Sequence, residues 1–124
     1  DSPKLLPIRE SFATGQPVEW VKVHDMPDYV FFNHSAHVTR GVGCETCHGR
    51  VDEMKEVWQE SPLTMGWCLD CHRDPTPNLR EPADVTVMGF DDRFDSPEAR
   101  REFGQSIQQK YNLKPNTNCT TCHR

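Results

Sequence analysis

The sequence predicts a small, mostly α-helical protein with much irregular loop, and three observations lead there. The chain has 124 residues, at most one domain. Ten prolines and seven glycines are spread through it, which argues against long uninterrupted elements. Only 35% of the residues are hydrophobic, so side chains alone make a modest core, and a chain of this kind needs staples such as disulfides, metals or cofactors.

Taken in order, residues 1–17 are Pro-rich without a clear period and read as an extended lead-in. Residues 18–32 hold a short alternation (Val18, Trp20, Val23) interrupted at Pro27, followed by Tyr29, Phe31 and Phe32, aromatics suited to packing on a large apolar group. Val51, Met54, Val57 and Trp58 fall at helical spacing and predict a short amphipathic helix within 51–60. Residues 73–95 carry three prolines and several acidic residues, an irregular connection anchored by Phe90 and Phe94. The clearest helix covers 97–111. Ser96 is its N-cap, Pro97 suits the first turn, Glu98 complements the dipole, and Ala99, Phe103, Ile107 and Tyr111 form the buried stripe.

The six cysteines form three pairs of identical spacing: Cys44 and Cys47, Cys68 and Cys71, Cys119 and Cys122. Histidine follows each pair at once, as His48, His72 and His123. Cys-x-x-Cys-His is the attachment signature of c-type haem. Two thiols three positions apart lie on one turn of backbone and can add to the two vinyl groups of one porphyrin, while the next residue brings its imidazole under the iron. The first two pairs also match a four-cysteine zinc ribbon, and six cysteines would serve a disulfide framework. Neither needs a histidine after every pair, and zinc leaves the third pair unexplained. Histidine is 6 of 124 residues, so three such placements by chance have odds of roughly one in several thousand. The expectation is three covalently attached haems c forming the core, with proximal ligands His48, His72 and His123. Thioether attachment belongs outside the bacterial cytoplasm, so the chain is expected to be extracytoplasmic, in the periplasm or on the outer face of the cytoplasmic membrane. No signal peptide and no run approaching 18 apolar residues is visible, so a mature, processed or excised soluble chain without a membrane span is expected.

Three histidines remain, His24, His34 and His37, as many as three irons need on their distal sides. The run F-N-H-S-A-H-V-T-R-G-V-G-C-E-T-C-H resembles the small multihaem cytochromes of class III, which place a Phe-x-His-x-x-His run before their first haem motif. The resemblance covers residues 30–72 and implies that His34 faces His48 on the first haem and His37 faces His72 on the second. The distal partner opposite His123 stays open between two candidates. By count it is His24. By pattern it is Met65, because class III relatives carry a distal histidine just before the second motif, where this sequence reads T-M-G-W-C.

A longer resemblance spans nearly the whole chain. The runs L-L-P-I-R-E-S-F-A-T-G-Q-P-V-E-W, V-H-D-M-P-D-Y-V-F-F-N-H-S-A-H, G-V-G-C-E-T-C-H-G-R-V-D-E-M, P-L-T-M-G-W-C-L-D-C-H-R and C-T-T-C-H-R are similar to the pentahaem cytochrome subunit of alternative complex III. The resemblance implies a place in or beside a quinol-oxidising respiratory complex that passes electrons toward a cytochrome c or a terminal oxidase. The pentahaem subunit has two further haem motifs and a membrane anchor ahead of the matched part, and this sequence has neither. The expectation is a C-terminal fragment, a split subunit or a three-haem relative with another partner.

The function expected is electron transfer rather than catalysis, since an iron with two protein ligands has no position left for substrate. A multihaem reductase subunit with one open iron is the alternative, and a haem subunit that only scaffolds a complex is a third. Arg40, Arg50 and Arg73 lie near the motifs, where arginine more commonly pairs with propionates than with substrate. The formal charge of −5 falls to about −8 once each haem adds two propionates against the single net positive charge of its ferric core, which favours basic redox partners and disfavours nucleic acid. Protein matured in a host that attaches haem c should retain three haems per chain through acid–acetone extraction, and Cys119→Ser with Cys122→Ser should lower the count to two; solvent-extractable haem or stoichiometric zinc would overturn the assignment.

Overall fold

The computed structural model describes residues 2–123, which form six α-helices, four short 3-10 turns and no strand. The helices are α1 (Leu6–Thr14), α2 (His34–Val38), α3 (Cys44–His48), α4 (Met65–Arg73), α5 (Pro97–Lys110) and α6 (Cys119–Cys122). The mostly helical, loop-rich class expected from the sequence is the one observed. Two isolated antiparallel bridges, Val42 with Leu79 and Val30 with His123, draw distant parts together. Among the described residues no helix is long and apolar enough to cross a membrane.

The longest helix, α5, starts where the sequence placed it. Ser96 accepts the Ala99 N–H at 3.2 Å and Pro97 occupies the first turn. Its buried stripe is displaced from the expected one: Arg100, Gly104 and Ile107 are buried, Phe103 is half-buried, and Tyr111 is exposed with its hydroxyl on Glu81 at 2.6 Å. The shift follows from close packing at Gly104. A Cβ there would lie 1.7 Å from the Thr76 carbonyl oxygen, so only glycine lets the turn Thr76–Asn78 seat on the helix.

Residues 73–95, expected as an irregular connection, supply most of the buried core. They hold three 3-10 turns, Thr76–Asn78, Pro82–Asp84 and Phe90–Arg93. Leu79, Val85 and Phe90 from this segment join Ile107 and Leu113 as the buried hydrophobic side chains. Phe90 is fully buried and meets half-buried Phe94 and Phe103 at ring-centroid distances of 5.7 and 5.9 Å. Prolines fix the turns without demanding a strand or helix between them.

Two elements differ from the sequence expectation. The lead-in is helical: the 3-10 turn Pro3–Leu5 runs into α1, with Pro7 in its first turn and Gly15 in the left-handed region (φ 69°) ending it. Prolines that suggest an extended chain are here at helix starts, where the missing N–H costs nothing. Residues 51–60 form no helix. The N–H groups of Glu53 and Met54 turn back onto the carbonyls of Arg50 and Val51, and Arg50 forks onto Asp52 and Glu53 at 2.9 and 2.8 Å. Val57 and Trp58 are exposed, so the apolar periodicity there has no core to face.

The first motif is fastened to the core through a buried ion pair. Arg80 is 1% exposed and donates to Glu45 Oε1 at 2.9 Å and to the Val87 carbonyl at 2.9 Å. The N–H groups of Gly89 and Phe90 donate to the same carboxylate at 2.7 and 3.0 Å. Burial pushes the Glu45 carboxyl up, but the Arg80 hydrogen bond, the two backbone donors and the Arg80 charge outweigh it and hold the pKa below its usual 4.5. This stabilisation is complete at neutral pH and is lost as pH falls through the depressed folded value. Glu45→Ala leaves Arg80 buried without its counter-charge and should destabilise by about 3–5 kcal/mol. Urea unfolding at pH 7 and at acid pH checks both points: the gap between wild type and Glu45→Ala should close as the carboxylate protonates.

Candidate haem-binding site

Each Cys-x-x-Cys-His motif takes one helical turn. Motif one is α3 in full, motif two lies within α4, and motif three is α6 followed by His123. Helical spacing puts both thiols and the following imidazole on one side of the turn. None of the six cysteines is in a disulfide. The motifs are neighbours. Burial and then the thiols of Cys71, Cys68 and Cys44 push Cys47 up to about 11, and burial and then Cys122 push Cys68 up. The first motif therefore adjoins the second, and the second adjoins the third. Among the described residues no three His, Cys, Asp or Glu side chains converge on a metal-ion position, as a zinc ribbon would require.

Local forces set each motif. Gly43 precedes α3 at a point where a Cβ would lie 2.2 Å from Arg80 Cζ, so the chain can enter the motif over the buried guanidinium only through glycine. The Cys44 N–H donates to the Val85 carbonyl at 2.8 Å. Thr64 caps α4 by accepting the Trp67 N–H. The third motif is held by the Val30–His123 bridge and by the Phe31 N–H on the Cys122 carbonyl at 2.7 Å.

Helix α2 presents the two histidines that precede the first motif. Asn33 caps it, its side chain accepting from the Ser35 N–H at 2.9 Å. His34 and His37 then fall three apart on neighbouring positions of one turn. The His34 ring lies 6.3 Å from the His48 ring, centroid to centroid, with the planes 9° apart. The His37 ring lies 6.1 Å from the His72 ring. A metal–imidazole bond of about 2.0–2.1 Å on each side, with the ring centre about 1.1 Å behind its nitrogen, separates two imidazoles on one metal by about 6.3 Å. Phe32 wedges between them, 4.8 Å from His34 and 4.6 Å from His37.

The ring nitrogens are sorted as metal ligation needs. Nδ1 of His72 faces the Asn116 carbonyl at 2.6 Å, Nδ1 of His37 the Asn33 carbonyl at 2.8 Å, and Nδ1 of His123 the Tyr29 carbonyl at 3.4 Å. A carbonyl only accepts, so each Nδ1 carries the proton and each Nε2 keeps its lone pair. Burial and then the charges of His24 and His34 hold the His48 pKa below its usual 6.5, which keeps its imidazole neutral. Paired cysteines, following histidines and opposed imidazoles fit haem c.

His24 is not beside His123. Its Nε2 lies 3.0 Å from His48 Nδ1, while the ring met by His123 is that of Tyr29, at 5.7 Å. Residue 25 is also tied close to the first motif, its N–H donating to Gln59 Oε1 at 3.0 Å. Met65 sits exposed on the first turn of α4. Of the arginines near the motifs, Arg50 pairs with Asp52, Glu53 and Asp92, and Arg73 with Asp70. Sequence reasoning missed Glu45, Arg80 and Arg100. Glu45 was legible as an acidic residue inside a motif; nothing local marks the two arginines as buried.

Residues 30–124 match the family of cytochrome c7 and related cytochrome c. None of the curated proteins matches the chain. The family match covers all three motifs and α2, and the chain belongs to the cytochrome c7 family, multihaem c-type cytochromes that carry electrons.

Proposed function

We propose that this chain holds three haems c and relays electrons through them on the outer side of the cytoplasmic membrane. The observation that carries the reading is the pair of imidazole separations set by α2, 6.3 Å to His48 and 6.1 Å to His72. The three cysteine pairs form the thioethers, and His48, His72 and His123 are the proximal ligands. His34 and His37 are the distal ligands of the first two irons, so one turn of helix fixes both. Opposite His123 the ligand is Met65: His24 is engaged on His48, and Met65 opens the helix whose Cys68 neighbours Cys122. Bound haem c supplies a one-electron ferric–ferrous couple. With a histidine or methionine on each side of every iron, substrate would be excluded, and neighbouring motifs would keep the redox centres close.

The reduced protein should be low-spin and indifferent to carbon monoxide at neutral pH. His34→Ala and His37→Ala should each open a different haem to carbon monoxide, and Met65→Ala a third, with loss of the far-red sulfur-to-iron band of the oxidised protein. A wild type that binds carbon monoxide would favour the reductase alternative; an unopened Met65 variant would remove methionine from the third site.

We further propose that the donor side is a quinol-oxidising complex of the alternative complex III type, with a cytochrome c or terminal oxidase as acceptor. Support comes from the resemblance of the sequence runs to the pentahaem subunit across nearly the whole chain. The chain should co-purify from detergent-solubilised membranes with a molybdopterin-like iron–sulfur subunit and polytopic membrane subunits, and quinol added to that preparation should reduce its haems. Recovery as a free carrier that quinol reduces no faster in the presence of membranes would exclude the complex.

A further inference from the structure

The Nδ1 atoms of His72, His37 and His123 face backbone carbonyls, whereas that of His48 faces a side chain, His24. The His24 and His48 rings meet edge to face at a centroid distance of 4.3 Å and an interplanar angle of 75°, with 3.0 Å between His24 Nε2 and His48 Nδ1. An imidazole that ligates through Nε2 holds its proton on Nδ1, so His48 donates and His24 Nε2 accepts. His24 then carries its own proton on Nδ1. The His48 ring also runs parallel to that of His34, 6.3 Å away, while His24 meets it at Nδ1, the nitrogen not used for ligation.

The segment bearing His24 is held in place. The Asp25 N–H donates to Gln59 Oε1 at 3.0 Å, and Gln59 Nε2 donates to the Ser61 carbonyl at 3.1 Å. Ser61 in turn reaches the Thr46 carbonyl, inside the first motif, at 3.4 Å. His24 is half-buried. It lies ahead of residues 30–124, the stretch that the family model matches.

We propose that His24 is a positioning residue for His48, fixing the orientation of the proximal imidazole and strengthening it as a donor to the iron of the first haem. The inference rests on the ligation proposed above. An acceptor on the far nitrogen gives the ligand ring partial imidazolate character. A more basic ligand favours ferric iron, so the first haem is held at a lower potential than it would have without His24. Because the acceptor is a side chain, this tuning is removable by substitution, which a carbonyl acceptor does not allow.

Redox titration of the holoprotein, resolved into its separate couples, tests this with His24→Ala and His24→Gln. In His24→Ala one midpoint potential should rise while the others stay, the low-spin signal of that one haem should change its g values, and carbon monoxide should still not bind. The carboxamide oxygen of glutamine is an acceptor, weaker than an imidazole nitrogen, so His24→Gln should return the potential part of the way to wild type. If the alanine variant fails to retain haem, His24→Gln against wild type should still show the smaller rise. Unmoved potentials, a glutamine variant no different from alanine, or carbon monoxide binding in either variant, which would make His24 an iron ligand, each overturns the proposal. Carbon monoxide binding by the wild type itself would instead sink the ligation reading beneath it.

Discussion

The Glu45 carboxylate is the point where the two halves of this molecule are joined. It sits between Cys44 and Cys47, and its two oxygens take up one buried guanidinium and two backbone N–H groups from the segment that forms the core. A charge removed from water is tolerated only when every lone pair is answered. Here the answer comes from residues 80–90, so the first motif cannot settle until that segment has folded against α5. Phe90 reinforces the arrangement, with the Arg80 guanidinium carbon 4.2 Å above its ring. One side chain inside a cofactor motif thus couples cofactor geometry to the integrity of a core some forty residues away.

That core is small. Five buried hydrophobic side chains hold residues 79–113 together, while Tyr29, Phe31, Phe32, Met65 and much of the chain before residue 30 are exposed in the protein fold. The division is physical. Side chains close to α5 pack on one another, and those around the motifs are arranged about the histidines, as Phe32 is about His34 and His37. In a family whose cofactors are large, flat and apolar, this is how a polar chain of modest length reaches sufficient burial.

What was legible in the sequence divides along the same line. The three motifs, the capped start of α5 and the pairing of His34 and His37 with the first two motifs could be read because each is local: a fixed spacing, an N-cap, a run of a few residues. The buried role of residues 73–95 could not, because prolines and acids there signal turns, and whether turns are core or surface depends on what packs over them. The displaced stripe of α5 has the same origin, since Gly104 turns toward the helix's partner and carries Arg100 inward with it. Helical spacing within 51–60 misled for the opposite reason: periodicity predicts a helix only where a face exists to receive it. The ligand opposite His123 stays open between His24 and Met65 in the sequence, because counting assigns partners without regard to distance.

The Val30–His123 bridge and the Phe31 bond to Cys122 bring together residues that stand almost the whole domain apart along the chain. A contact of such separation forms late, since loop-closure entropy must be met before it contributes anything. The order of assembly is thereby ranked. Helix α2 is local in sequence and can organise early, the first motif waits on residues 80–90, and the last motif acts as a clasp that closes at the end. Once shut, the clasp sets both ends of the haem-bearing region at one place on the surface. The clasp is not a neutral seam, however: a cut just before Val30 would separate His24 from the His48 ring that it meets.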